Sequence, residues 1–383
     1  MTIPPEIQAL IPQVRAENPQ LADIPDEAIA EFILQALQQQ GPPDGRQDLA
    51  NMSAEELRST GQQLLNTGKW QEAEQYYLLA LEKSDKEQDY YGMTWASIKL
   101  GNLCLRRGDF PQAITLYQRA LGLTEHHGDR RLTGVIYDEI GSTHHLQGEY
   151  PQAVEYYRKS LEIHTMMGNE QDMAVEYGHL GNVYRRRGDF EGAIQAYEKA
   201  IALWSKHNLE RELAMDYGNL GSAYLDQSNY NQAIEMYQQS LEITLRLGDE
   251  ATSANQYANL GSVYLILENH AEAIEMYQKA LEIMQHINNE PATAQVYGNL
   301  ATVYMQMSNA TQALAFYKKS LAILERIDDK HNLAIMYFNL GVLYRNLGQR
   351  EPAREHYQKA KTLYEMVGNA QGVQDATNEL RGL

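Results

Sequence analysis

Cysteine is almost missing from this 383-residue chain, and the one present, Cys104, excludes any intramolecular disulfide. A lone thiol fits a reducing compartment. No apolar run approaches the roughly 18 residues that a membrane helix needs. The first ten residues, MTIPPEIQAL, lack the basic start and apolar core of a secretory signal, so a soluble, cytoplasmic protein is the expectation. Basic residues are also scarce: 32 Lys and Arg stand against 51 Asp and Glu, a formal charge of -19. Nucleic acid and anionic lipid surfaces are recognised through a basic footprint, so neither is expected as the main partner. Proline is nearly absent from the body of the chain, seven of the eleven falling within the first 43 residues.

What is present is repetition with a period of 40. Gly61, Gly101, Gly141, Gly181, Gly221, Gly261, Ala301 and Gly341 form one column. Twelve residues later comes an alanine in every copy, from Ala73 to Ala353, and four beyond that a tyrosine, from Tyr77 to Tyr357. A fixed period in this range signals stacked supersecondary units that present one extended surface. Within one copy, Tyr177, Leu180, Gly181 and Tyr184 lie at i, i+3, i+4 and i+7, a single helical stripe. Gly188-Asp189-Phe190 stops that helix, and Ala193, Ile194, Tyr197, Ala200 and Ile201 form a second stripe. Small residues at Gly181, Ala193 and Ala200 let the two helices approach, with tyrosines filling the space left. Pro111, Pro151 and Pro352 mark second-helix starts, where the missing N–H costs nothing. After the second helix, Gly128, Gly168, Asn208, Gly248, Asn288, Asp328 and Gly368 all tolerate positive φ. Cys104 shares a column with Tyr184, Tyr224, Tyr264, Tyr304 and Tyr344, so a buried, inert thiol is expected.

These columns resemble the tetratricopeptide repeat family, whose aromatic, Leu-Gly, Tyr, Ala, aromatic, Ala pattern is matched from about Met52 to the C-terminus. The 40-residue unit is similar to that of animal adaptors named for a Leu-Gly-Asn repeat, spelled here by Leu100-Gly101-Asn102 and Leu180-Gly181-Asn182. Those adaptors bind extended peptides and regulate Gα proteins. The tail motifs that bind Gα are absent here, so only the peptide-binding half carries over. The resemblance implies an all-α fold, a right-handed solenoid of about eight stacked helical hairpins spanning residues 49–383. Val373, Ala376 and Leu380 make a C-terminal capping helix, and Ser53 with Glu56 reads as a capping box opening the first repeat.

Residues 1–48 are organised differently. Pro25-Asp26-Glu27 opens a helix with Ile29, Phe32, Ile33, Ala36 and Leu37 on one face, a shorter helix runs from Pro5 to Ala16, and Gln40 to Gly45 reads as a linker. Such a segment either caps the first repeat or provides an amphipathic helix for self-docking or self-association.

Catalytic constellations are not found: no Gly-rich phosphate loop, no zinc-type Cys pair, no HExxH spacing. His126-His127 and His144-His145 are adjacent pairs, which diverge by about 100° on a helix and do not chelate together. No enzyme activity, metal or cofactor is expected. The resemblance places the first helix of each hairpin on the concave wall. One column there reads Lys99, Glu139, His179, Asn219, Asn259, Asn299 and Asn339, and its partner reads Asn102, Ser142, Asn182, Ser222, Ser262, Thr302 and Val342. Gly178, Gly218, Ala258 and Gly298 are small enough to suggest room for a ligand. An asparagine amide donates and accepts, so it pairs with a peptide unit whatever the side chain. The alternative is that the amides bond between repeats and fix the superhelix. Lys99, Arg106 and Arg186 add positive charge suited to an acidic peptide or a terminal carboxylate. The expected partner is therefore a protein or peptide bound along the groove by a scaffold or adaptor; a peptide-responsive signalling receptor is the second reading. Weaker turns and cores at Ala301, His270, Ala310, Glu268 and Ser308 predict that Asn255 to Asp328 opens before the earlier repeats.

Overall fold

The computed structural model describes residues 51–383, together with Ile11 and Leu49. The expectations for residues 1–48, with the two short helices, the linker and self-association through them, lie outside the described residues. The described residues contain seventeen α-helices and no strand. Contacts divide the chain into two compact units, one ending at Thr143 and one starting at His144. Each is taken by itself.

In the first unit, α1 (Ala54–Asn66) pairs with α2 (Trp70–Glu87), and α3 (Tyr90–Arg106) with α4 (Phe110–His127), before α5 (Arg130–Leu146) begins. The second unit continues from within α5 through α6 (Tyr150–Met167) and the hairpin of α7 (Glu170–Arg186) and α8 (Phe190–His207). It goes on through α9 (Glu210–Asp226) with α10 (Tyr230–Leu247), and α11 (Glu250–Ile266) with α12 (His270–His286). Two more hairpins follow, α13 (Glu290–Gln306) with α14 (Ala310–Arg326) and α15 (Lys330–Asn346) with α16 (Arg350–Met366). The last helix is α17 (Ala370–Gly382). The architecture is an all-α solenoid of hairpins.

One contact holds each hairpin closed. A Cβ added at Gly181 would stand 2.6 Å from Cε1 of Tyr197, and one at Gly221 or Gly261 would stand 2.8 Å from the ring of Tyr237 or Tyr277. The ring thus lies on bare backbone, which is why the column is glycine. Ala301 occupies the position in α13 with its side chain fully buried, so one methyl is accommodated there. The second-helix alanines and tyrosines are the most deeply buried residues of both units. Each tyrosine contributes roughly 1.5–3 kcal/mol of apolar burial.

The turns follow a fixed scheme: a residue with positive φ, then a helix N-cap. Gly188 has φ 78°, and the Asp189 carboxylate next to it accepts from the Gly192 amide at 3.0 Å. Where glycine is lost the backbone keeps the same shape: φ is 62° at Ser228, 58° at Glu268 and 58° at Ser308. Left-handed backbone costs a residue with a Cβ about 1–2 kcal/mol, so these turns store strain. The column after the second helix behaves similarly at Asn208, Asn288 and Asp328, and also at Gln88 (φ 55°), a residue type the column from Gly128 onward does not foreshadow. The capping box is present, with Ser53 Oγ accepting from the Glu56 amide and Glu56 accepting from the Ser53 amide. Cys104 is buried, which pushes its thiol upward in pKa. The capping helix α17 buries Ala376 and lays Gly372 against the Tyr364 ring. Apolar clusters in the α11–α12 and α13–α15 region are extensive, centred on Met284 and Leu324.

Candidate functional site

Because the period is strict, one cleft fixes the register of the first-helix surface. In the second unit a cleft of about 330 Å³ lies between α11 and α13. Its lining includes Asn255, Asn259, Ser262, Gln295 and Asn299, with Ala258, Ala292, Val296 and Met284 as apolar floor. The structure therefore brings together four of the residues singled out from sequence: Ala258, Asn259, Ser262 and Asn299. Every lining side chain is uncharged in a protein of net charge -19. Asn255 and Gln295, one turn toward the helix start, were not among the sequence candidates. Their signal was the i−4 spacing from Asn259 and Asn299, which puts them on the same face.

The partner column has a structural duty. Tyr197 donates to Asn182 Oδ1 at 2.8 Å, and Tyr237 and Tyr277 lie 3.1 and 3.0 Å from the hydroxyls of Ser222 and Ser262. Thr302 stands 3.3 Å from the Tyr317 hydroxyl. In the first unit Tyr117 donates to Asn102 Oδ1 at 2.6 Å, and Asn102 donates to Glu139 at 3.0 Å. These polar side chains satisfy the buried phenols beneath the groove. Where the column reads Val342 and offers no oxygen, Tyr357 donates instead to Glu379 of α17 at 3.1 Å. Tyr77 differs: Gln62 takes that position in α1, and the buried Tyr77 hydroxyl has no hydrogen-bond partner among the described residues. Burial pushes its pKa up to about 12.

The other candidates divide. Lys99 sits 5.1 Å over the Trp95 ring and Arg106 5.2 Å over Trp70, so both cations of the first unit are stacked on aromatic faces. Arg186 ends α7, is exposed and has no ion pair among the described residues, whereas its neighbour Arg185 bonds Asp226 at 3.0 Å. The four asparagines are half-buried and fall into two kinds. Asn219 donates to Asp216 at 3.2 Å and Asn259 to Gln256 at 3.3 Å. Asn299 and Asn339 bond to no other described side chain.

Of the small residues expected to leave room for a ligand, Ala258 lines the cleft, whereas Gly178, Gly218 and Gly298 face side chains of the protein itself. A Cβ on Gly178 would lie 3.4 Å from Asp216, one on Gly218 would lie 2.6 Å from Gln256, and one on Gly298 would lie 2.8 Å from Met336. The space belongs to a side chain of the next first helix. That inserted side chain is buried and polar at Glu176, Asp216 and Gln256, but apolar at Val296 and Met336. Sequence reasoning missed this column, although acids and amides standing where other copies carry Ala96 and Ile136 were a visible break in an apolar pattern.

The tetratricopeptide repeat profile matches residues 58–126, 92–166, 171–246, 213–286, 249–326 and 292–366. The chain belongs to the tetratricopeptide repeat family. No curated protein matches the sequence. Similar solved structures include the apo form of the quorum sensor NprR from B. thuringiensis, with TM-score 0.62, 16% identity, and coverage of 94% of this chain and 97% of that one. Aspartyl phosphate phosphatase F from Bacillus subtilis gives TM-score 0.60 at 15% identity, covering 94% of each chain. The apo form of RapI gives 0.59 at 15%, covering 74% of this chain and all of that one (100%). At these identities the likeness establishes the fold.

Proposed function

We propose that this chain is a non-enzymatic interaction protein that holds an extended peptide segment of a partner along the first-helix face of its second unit. The observation that carries the reading is the uncharged, amide-rich cleft lined by Asn255, Asn259, Ser262, Gln295 and Asn299. Carboxamides there offer donors and acceptors in the pairing that a peptide backbone needs, and the lining supplies no base to activate the Ser262 hydroxyl. Arg186 extends the same face with a cation that suits an acidic side chain or terminal carboxylate of the ligand.

The test is a displayed library of linear peptides panned against the full chain, followed by titration of the winners. Two lost main-chain hydrogen bonds at about 1 kcal/mol each predict a roughly 30-fold weaker Kd for Asn259→Ala combined with Asn299→Ala. Undiminished affinity would remove the cleft as the site. Small-angle scattering with the same peptide separates an adaptor, whose dimensions stay constant, from a ligand-switched receptor, whose dimensions change.

A further inference from the structure

A second polar layer lies under the groove asparagines, and its chemistry differs from repeat to repeat. A polar group buried in a helix seam destabilises the seam unless it is hydrogen-bonded. Asp216 is 7% exposed and accepts twice: from Trp204 Nε1 at 2.8 Å and from Asn219 Nδ2 at 3.2 Å. Its carboxylate sits above Gly178, where a Cβ on the preceding first helix would stand in van der Waals contact with it at 3.4 Å. An ionised carboxylate only accepts, so Asn219 has one way to face it. One N–H of the amide points down, and Oδ1 with the second N–H is left for the groove. Gln256 plays the same part under Asn259 at 3.3 Å, but an amide can donate as well as accept, so that pair is reversible as a unit. Asn299 and Asn339 stand over Val296 and Met336, which neither donate nor accept.

We propose that Asp216 is a positioning residue that locks the Asn219 amide with its oxygen toward the groove, making α9 the fixed point at which a bound extended peptide is read through a main-chain N–H. Gln256 orients Asn259 more loosely, and Asn299 and Asn339 turn to fit whatever the ligand presents. The ladder is thus graded from locked to adaptable along the second unit. This inference rests on the peptide-binding reading above, and it adds where registration of the peptide occurs.

Asp216→Asn provides the discriminating variant. The new amide still accepts from Trp204 through its oxygen, which turns its NH2 toward Asn219 and forces that side chain to invert. In the full chain with selective 15N-asparagine labelling, the Asn219 side-chain signal, assigned by its loss in Asn219→Ser, is expected to follow the titration of Asp216. Signals of Asn299 and Asn339 are expected not to. The groups facing Asp216 are Trp204, Asn219, His179 and Tyr197, so the same titration in His179→Gln separates a histidine contribution. With a heptapeptide selected from the library, Asp216→Asn should lose about ten-fold in affinity while its helicity stays that of the parent. Asp216→Leu, which removes the acceptor, should cost less than the inverting variant. Unchanged affinity in Asp216→Asn, or an Asn219 signal indifferent to the Asp216 titration, overturns the proposal. If the library yields no binder, the peptide-binding reading falls, and the titration alone then decides whether Asp216 sets the amide.

Discussion

Two tyrosines of the first unit, in the same position of successive hairpins, should respond in opposite directions to the loss of one oxygen. Tyr77 and Tyr117 are both fully buried and both lie on glycine, Gly61 and Gly101. Tyr117 donates to Asn102 at 2.6 Å, whereas the Tyr77 hydroxyl is buried without a partner among the described residues. Desolvating an unpaired hydroxyl costs about 1–3 kcal/mol, a penalty that Tyr77→Phe removes. Set against slightly poorer filling of an oxygen-sized space, the net expectation is stabilisation by about 0.5–2 kcal/mol. Tyr117→Phe deletes a made bond and leaves Asn102 Oδ1 short of a donor, so it should cost about 1–2 kcal/mol. The difference between the variants is about 1.5–4 kcal/mol. Long repeat arrays depart from two-state unfolding, so the assay is native-state hydrogen exchange of α1–α2 and α3–α4 amides, supported by thermal midpoints. Destabilisation by both substitutions, or no difference between them, would refute the accounting of hydroxyl satisfaction.

The turn geometry predicts that Glu268→Gly and Ser308→Gly each raise the melting temperature by about 1–3 °C, since they relieve left-handed strain at exposed positions. Gly188→Ala should lower it, and a shift of the same sign in all three would sink the strain argument. Burial holds the Asp216 pKa above its ordinary 3.8, so the folded protein binds that proton more tightly than the unfolded chain does. Its contribution is therefore fully present below about pH 4 and is lost as pH rises through the folded value. Chemical denaturation of the parent and Asp216→Asn from about pH 4 to about pH 7 should show the parent losing stability relative to the variant. Hydrogen exchange should find the turns at Glu268 and Ser308 less protected than the turn at Gly188. The segment from Asn255 to Asp328 should accordingly open before the earlier repeats, and uniform protection of all the turns would contradict the strain they carry.

The hairpins, the tyrosine core, the turn residues and the capping box were all legible, because a strict period lines up equivalent positions and each column then shows what it tolerates. Gly181 over Tyr197 could be read in this way without coordinates. A column says what is alike, however, and not what it meets. Gly178 and Gly218 looked like open space because their smallness is explained only by Asp216 and Gln256 arriving from 38 residues further on. Asn182, Ser222, Ser262 and Thr302 looked like ligand contacts, and their bonds to tyrosine hydroxyls depend on a side chain of the other helix. Asn259 and Asn299 of the asparagine column line the cleft, since helical register decides which face a residue occupies. The distinction between held and unheld asparagines lies one layer deeper, where the sequence shows only a change from acid to hydrocarbon.

The bonds that Tyr237, Tyr277 and Tyr317 make to the residues above them give the groove a built-in optical reporter. Ser222, Ser262 and Thr302 donate to the carbonyls of Gly218, Ala258 and Gly298, so each accepts from its tyrosine, and a ligand that draws the side chain away leaves that phenol without its acceptor. A phenol that loses its partner changes its near-ultraviolet absorbance and its Raman doublet. Because each tyrosine belongs to a single hairpin, replacing them one at a time with phenylalanine turns the spectrum into a map of occupancy, repeat by repeat, with no label attached.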